Sequence, residues 1–372
     1  MVLQYQNRRE TLAVLTGVVA MAGCANSSRF APNIESASRD EGVARIDAAL
    51  AASISTGFAG VVLLKQDGAT LLDKGYGMAD PATQRPVTTE TGFDIGSLVK
   101  PFTASAILKL EAQGVLRTSD AANRFLPELA KEKASITLDQ LLNHTAGLPD
   151  FLDANGRPAR YTLSSDPDYE LVTKNEIIRR ASICTLEHPP GSIERYSNLG
   201  YSLLAAIVES AASQPYEDYV QQNLFAPAGM TRTGYVAPHW SNEQLAVGIA
   251  AGRRWGTPLD HPWLPDGPSW NLRGNGGMIS TSGELAKWIH ALQTGAMLQG
   301  LAREKLYDIY VHRNRRGTRT MGAAGSNDVF NACYLWYLDE NRLIIAMTSD
   351  NRVLAEQIVP SLAAKVRDLP AA

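Results

Sequence analysis

The strand-forming stretches of this chain sit near its two ends, and that placement constrains the fold more than any other feature. Phe58 to Lys65 is rich in β-branched and aromatic residues, Gln66-Asp67-Gly68 has turn chemistry, and Ala69 to Met78 returns, so the segment predicts a hairpin. Val329 to Leu338 and Arg342 to Ser349 are strand-like again, joined by Asp339-Glu340-Asn341. Most of the periodic segments between them are helical, and helices are also expected over Asp40 to Ala52 and Val353 to Val366. Such an order predicts an α+β domain whose terminal strands share one antiparallel sheet.

The longest helical pattern of the first half starts at Ser97. Leu98, Phe102, Ala106 and Leu110 form an i+4 row, and Gly114 ends it. Pro101 fits only if the helix begins near Ser97, where the first N–H groups have no helical acceptor. Ser97 then lies at a helix N-terminus, where free amides favour negative charge. Lys100, three residues on, shares its face. A serine hydroxyl becomes a nucleophile when a neighbour takes its proton, and a lysine can do so if burial or a cation lowers its pKa. Ser97 and Lys100 are therefore candidate catalytic residues.

Composition narrows the function. The 372 residues are 45% hydrophobic and 20% charged, with a net charge of −3 and interleaved signs. No basic stripe is present, which argues against nucleic acid as a partner. The six histidines are scattered without metal-ligand spacing, so neither metal nor other cofactor is expected. Arg8-Arg9, the apolar run from Leu12 to Gly23 and then Cys24 read as a signal peptide over residues 1–24. Ala22-Gly23-Cys24 is similar to a lipobox, which would make Cys24 the lipidated, membrane-attaching residue of an exported, periplasmic or membrane-anchored protein. Residues 25–38 read as a tether, and 39–370 as the folded domain. Cys184 and Cys333 read as buried free thiols. Residues 234–272 lack a period and hold Trp240, Trp255, Trp263 and Trp270, which are expected to form a pocket wall.

Several stretches together resemble the serine β-lactamase and penicillin-binding superfamily, most of all its class C and esterase branch. They are Ser97-Leu98-Val99-Lys100, Leu141-Leu142-Asn143-His144-Thr145-Ala146-Gly147-Leu148, Tyr196-Ser197-Asn198, Phe225 to Met230, and Gly276-Gly277-Met278-Ile279-Ser280-Thr281, in the expected order. The resemblance implies a β-lactamase/transpeptidase-like fold: a sheet from both chain ends flanked by helices, with a mainly helical subdomain. It implies that Ser97 forms an acyl-enzyme, that Lys100 and Tyr196 share the proton work, and that Asn198 binds the lysine or the substrate, although Asn198 reads equally well as a helix cap. His144 reads as a structural hydrogen-bonder.

One departure stands out. The family has Lys or His, a small residue and Gly on a strand beside the serine; the matching place here is Ala323-Ala324-Gly325. Gly325 and Ser326 can still supply oxyanion-binding backbone, but alanine replaces the cation. Arg315, Arg316 and Arg319 are candidates to restore the charge. The expected function is an exported serine hydrolase for a small acyl substrate, esterase-like because no cation anchors a carboxylate, with no obligate protein partner. The alternatives are a β-lactamase or D-Ala-D-Ala carboxypeptidase, and a binding protein of this fold that has lost turnover.

Overall fold

The computed structural model describes residues 39–159, 170–236, 238–260, 263–327 and 329–367. The signal peptide, Cys24 and the tether expected over 1–38 lie outside the described residues. Strand β1 (Gly60–Gln66) and β2 (Ala69–Tyr76) form the hairpin. Asp67 and Gly68 both have positive φ, 51° and 82°, the two-residue turn whose twist suits a hairpin. From the far end of the chain come β3 (Val311–Arg313), β4 (Arg319–Ser326), β5 (Asn331–Tyr337) and β6 (Arg342–Thr348). They join the hairpin in one six-stranded sheet of order β2-β1-β6-β5-β4-β3. β1 and β6 pair antiparallel from Gly60↔Thr348 to Gln66↔Arg342, so the two ends of the chain do meet in one sheet.

Alternation along the strands divides the core. Val62, Leu64, Ile344 and Ala346 face the side covered by α1 (Arg39–Ala52) and by the last helix, through Ile46, Leu50, Val359 and Leu362. Val61, Leu63, Tyr334, Ile345 and Met347 face the larger, mainly helical side. Because both faces are covered, β1 reads as an unbroken apolar run rather than an alternating one.

The helical side contains α2 (Lys100–Ala112), α3 (Leu138–Leu142), α4 (Lys174–Ile183), α5 (Asn198–Ala212), α6 (Ser282–Thr294) and α7 (Gly300–Tyr310), and α8 (Ala355–Arg367) closes the opposite face. Helix α2 packs between α5 and α7 and is buried on nearly every side, so its sequence carries apolar residues all round rather than one stripe. One of its interior polar groups, Thr103, donates to the Gly274 carbonyl (2.6 Å) and bonds the Tyr216 hydroxyl (2.6 Å). Burial pushes the Tyr216 phenol above its ordinary range, so it stays protonated in this role. Cys184 and Cys333 are buried free thiols. Among the described residues no helix is long and apolar enough to cross a membrane.

Within the tryptophan-rich stretch the aromatic side chains make separate contacts. Trp255 packs edge-on against Phe330, the Arg232 guanidinium lies 4.9 Å from the Trp240 ring centre, and Trp263 donates to the Pro258 carbonyl. Trp270 alone of the four borders a cleft that Thr173, Lys174, Glu209 and Asp266 also line.

Candidate active site

The segment Gly96–Val99 is a turn of 3-10 helix that runs into α2 at Lys100. In a 3-10 turn residues three apart are nearly eclipsed, and Lys100 Nζ reaches Ser97 Oγ at 3.0 Å. Pro101 follows at the start of the α-helix, where its missing N–H costs nothing. Ser97 is half-buried, while Lys100 is 3% exposed.

The second element is the extended segment before α5. Ser197 has φ −147° and ψ 115°, and in extended chain alternate residues point the same way. Tyr196 and Asn198 therefore project together toward Lys100. Tyr196 Oη lies 2.6 Å from Ser97 Oγ and donates to Asn198 Oδ1 at 3.3 Å. Lys100 Nζ donates to the same Asn198 oxygen at 2.6 Å. Ser197 points the other way: its hydroxyl donates to the Pro149 carbonyl and accepts from Gly200 N. The helix cap is thus Ser197, and Asn198, which the sequence allowed as the cap, spends its side chain on Lys100. The Asn198 backbone N–H is held by the Asp150 carboxylate at 2.8 Å.

His144 fixes this segment from behind. Its Nδ1 accepts from Ser197 N at 3.2 Å, so the neutral ring carries its proton on Nε2. The ring packs on Tyr196 (4.8 Å) and Tyr201 (5.0 Å). The ammonium of Lys100 lies 4.7 Å from the centre of the Tyr196 ring and 5.7 Å from that of Tyr201, within range of attraction to their faces.

A partner not foreseen in the sequence is the Asn275 carbonyl, which accepts from Lys100 at 2.9 Å. Asn275 sits in the loop Gly274-Asn275-Gly276-Gly277, and its amide donates to Ser202 on α5 (2.9 Å). The loop's closeness to α5 requires glycine: a Cβ on Gly274, at φ +79°, would lie 2.6 Å from Ala205 Cβ. The glycine run was the available signal, but a backbone acceptor leaves no mark in side-chain identity.

Strand β4 completes the site. Its C-terminal end packs against the Gly96–Val99 turn. A Cβ on Gly325 would lie 2.5 Å from Ser97 N and 2.2 Å from the Ile95 carbonyl; a Cβ on Gly96, at φ +48°, would lie 2.6 Å from Ser326 N. Only glycine at both positions permits this approach. The Ser326 amide is thereby brought against the turn that carries the Ser97 amide, and two neighbouring backbone N–H groups are what an oxyanion hole needs. Ala323, half-buried, pairs with Tyr334 and packs on the helical side of the sheet, so residue 323 does face the catalytic side, without a charge. The arginines do not replace it. Arg319 is six strand residues from Gly325, about 20 Å at the usual rise, and ion-pairs with Asp339 at 2.7 Å. Arg315 and Arg316 lie in the turn between β3 and β4.

A family model described as Beta-lactamase matches residues 43–355. Penicillin-binding protein 4* of Bacillus subtilis (strain 168) is 34% identical over 190 residues, 50% of this chain and 40% of that protein. The matches span between 36% and 59% of the length of the leading curated relatives. Among solved structures, the octameric penicillin-binding protein homologue from Pyrococcus abyssi superposes with a TM-score of 0.73 at 20% identity, covering 88% of this chain and 78% of that one. EstCE1, described as a hydrolase with promiscuous acyltransferase activity, has a TM-score of 0.69 at 20% identity, over 88% of this chain and 98% of that one. At these identities the structural likeness is one of fold.

Proposed function

The chain belongs to the β-lactamase family, and from that premise we propose that it hydrolyses uncharged esters or amides through an acyl-enzyme on Ser97. The observation that carries the proposal is the position of Ser97 Oγ, bonded to Lys100 on one side and Tyr196 on the other, with the Gly325-Ser326 backbone packed against its own amide.

The chemistry follows from these contacts. Ser97 Oγ attacks the substrate carbonyl carbon, and its proton passes to the Lys100–Tyr196 pair. In either form competent to receive it, phenolate with ammonium or phenol with amine, the pair holds the same number of protons, so the two groups act as a unit. Charge developing on the carbonyl oxygen is met by the Ser97 and Ser326 N–H groups. The pair then returns the proton to the leaving alcohol or amine, and the acyl-enzyme remains. Water attacks that ester by the reverse route, freeing Ser97.

The preference for uncharged substrates rests on Ala323. A substrate carboxylate at that strand would be desolvated without a cation beside it, which costs several kcal/mol in order of magnitude. The fold neighbour EstCE1 is, by its description, a hydrolase, which accords with this reading. Export through residues 1–24 and lipid attachment at Cys24 belong to the same proposal and rest on sequence.

A panel of short-chain p-nitrophenyl esters, a chromogenic cephalosporin and a D-Ala-D-Ala peptide tests the assignment, with Ser97→Ala as control. The esters are expected to react fastest. Faster turnover of the cephalosporin or the peptide would establish the lactamase or peptidase reading instead.

A further inference from the structure

We propose that Asp94 and Asn327 form a clamp that sets the spacing of the two oxyanion-binding amides, making both of them positioning residues for catalysis. This inference rests on the hydrolase reading above.

Asp94 ends a short ribbon, Phe93–Asp94 paired with Ile279–Ser280, and is 6% exposed. Its two oxygens serve two different segments. Oδ1 accepts from Gly96 N at 2.7 Å. Oδ2 accepts from Asn327 Nδ2 at 3.0 Å. Gly96 immediately precedes Ser97, and Asn327 immediately follows Ser326. One carboxylate therefore grips the neighbours of both proposed oxyanion donors, on segments 233 residues apart in sequence.

Each end of the clamp is itself fixed. Gly96 is held in the left-handed region at φ +48°, a conformation that the bond from its N–H to Asp94 closes into a turn. Asn327 Oδ1 accepts from Val329 N (3.2 Å) and Phe330 N (2.8 Å), which locks the amide so that Nδ2 points at Asp94. The Ile95 amide, between Asp94 and Gly96, is anchored to the Met278 carbonyl at 3.0 Å. The clamp touches no reacting atom; it acts on the distance between the Ser97 turn and the end of β4. A misplacement of about 1 Å at such a site lowers a rate about 10²-fold.

The hydrogen-bond inventory makes a reciprocal test available. In Asp94→Asn an amide NH2 faces the Asn327 NH2, donor against donor. In Asn327→Asp two carboxylates face each other. In the double exchange D94N/N327D the four bonds named above are restored, the one between the two side chains with its direction reversed. The amide introduced at position 94 accepts from Gly96 N through its oxygen and donates through its nitrogen to the carboxylate introduced at position 327. That carboxylate still accepts from the amides of Val329 and Phe330.

The experiment measures kcat and KM for a p-nitrophenyl ester, with thermal midpoints, for the wild type, both single variants and the double exchange. Each single variant is expected to lose about 10- to 100-fold in kcat with KM within about threefold. The double exchange is expected to recover to within about threefold of wild type in kcat. The clamp is overturned if both folded single variants keep wild-type kcat, or if the exchange restores the thermal midpoint but not kcat. Should the single variants fail to fold, the exchange alone decides: folded and active supports the clamp, folded and slow overturns it. A wild type that neither hydrolyses the ester nor labels at Ser97 is a different result, which removes the hydrolase reading itself.

Discussion

Lys100→Met is expected to lower kcat/KM for an ester by about 10³-fold or more while leaving the protein folded. The side chain is 3% exposed and donates to Ser97 Oγ, Asn198 Oδ1 and the Asn275 carbonyl. Methionine is likewise unbranched, one heavy atom shorter, and can neither carry charge nor move a proton. Two effects on stability oppose each other. The Asn275 carbonyl loses its Lys100 donor, which costs about 1–3 kcal/mol if it is left unsatisfied. Burying a charged ammonium costs several kcal/mol in order of magnitude, and that cost disappears. Asn198 Oδ1 keeps its donor in Tyr196. Net stability should therefore change by no more than about 2 kcal/mol, so lost activity with a retained thermal midpoint identifies a chemical role. Ester kinetics alongside thermal unfolding decide it; activity within tenfold of wild type would take Lys100 out of the proton path.

Gly325→Ala should be nearly as damaging to rate, for a reason of space. Its φ is not in the left-handed region, so backbone strain is not at issue. The new Cβ would sit 2.2 Å from the Ile95 carbonyl and 2.5 Å from Ser97 N, both of them backbone atoms that no rotamer change can move. Strand β4 must back away from the Ser97 turn by about 1 Å to restore ordinary contact, and this opens the proposed oxyanion hole. The loss expected is about 10²–10³ in kcat, with a destabilisation of about 1–3 kcal/mol from overpacking. Gly322→Ala is the matched control on the same strand. Its Cβ would meet Leu335 Cδ1 at 3.3 Å and the Tyr334 carbonyl at 3.5 Å, contacts that small shifts absorb. Kinetics of the two variants should differ by at least tenfold; equal rates would mean that the close approach at Gly325 has no part in catalysis.

The architecture was readable where local chemistry acted alone. The Asp67-Gly68 turn, the β-branched strands at both ends and the constraint of Pro101 on where α2 starts all follow from backbone preference. Ser97 and Lys100 were legible because helical geometry over three residues is fixed in advance. Tyr196 and Asn198 needed the resemblance, since nothing within the segment says which helix it will face. Strand β4 was the hardest element. Thr320-Met321-Gly322-Ala323-Ala324-Gly325 has little strand propensity and is held by pairing with β5 along its length and with β3 at its start. Gly325 is there for the close approach to Ser97, a tertiary demand that overrides propensity. The Asn275 carbonyl and the Asp94–Asn327 contact were invisible for related reasons. One is a backbone group, and the other joins segments that meet only when both ends of the chain have entered the fold.

The central claim is that Ser97 is the nucleophile. Incubation with a fluorophosphonate, followed by intact-mass measurement and peptide mapping, tests it most directly. Attack by Ser97 Oγ on phosphorus expels fluoride and leaves one phosphonyl group on the protein. A single adduct is expected, mapped to Ser97 and absent from Ser97→Ala. An unmodified wild type, or equal labelling of Ser97→Ala, would contradict it.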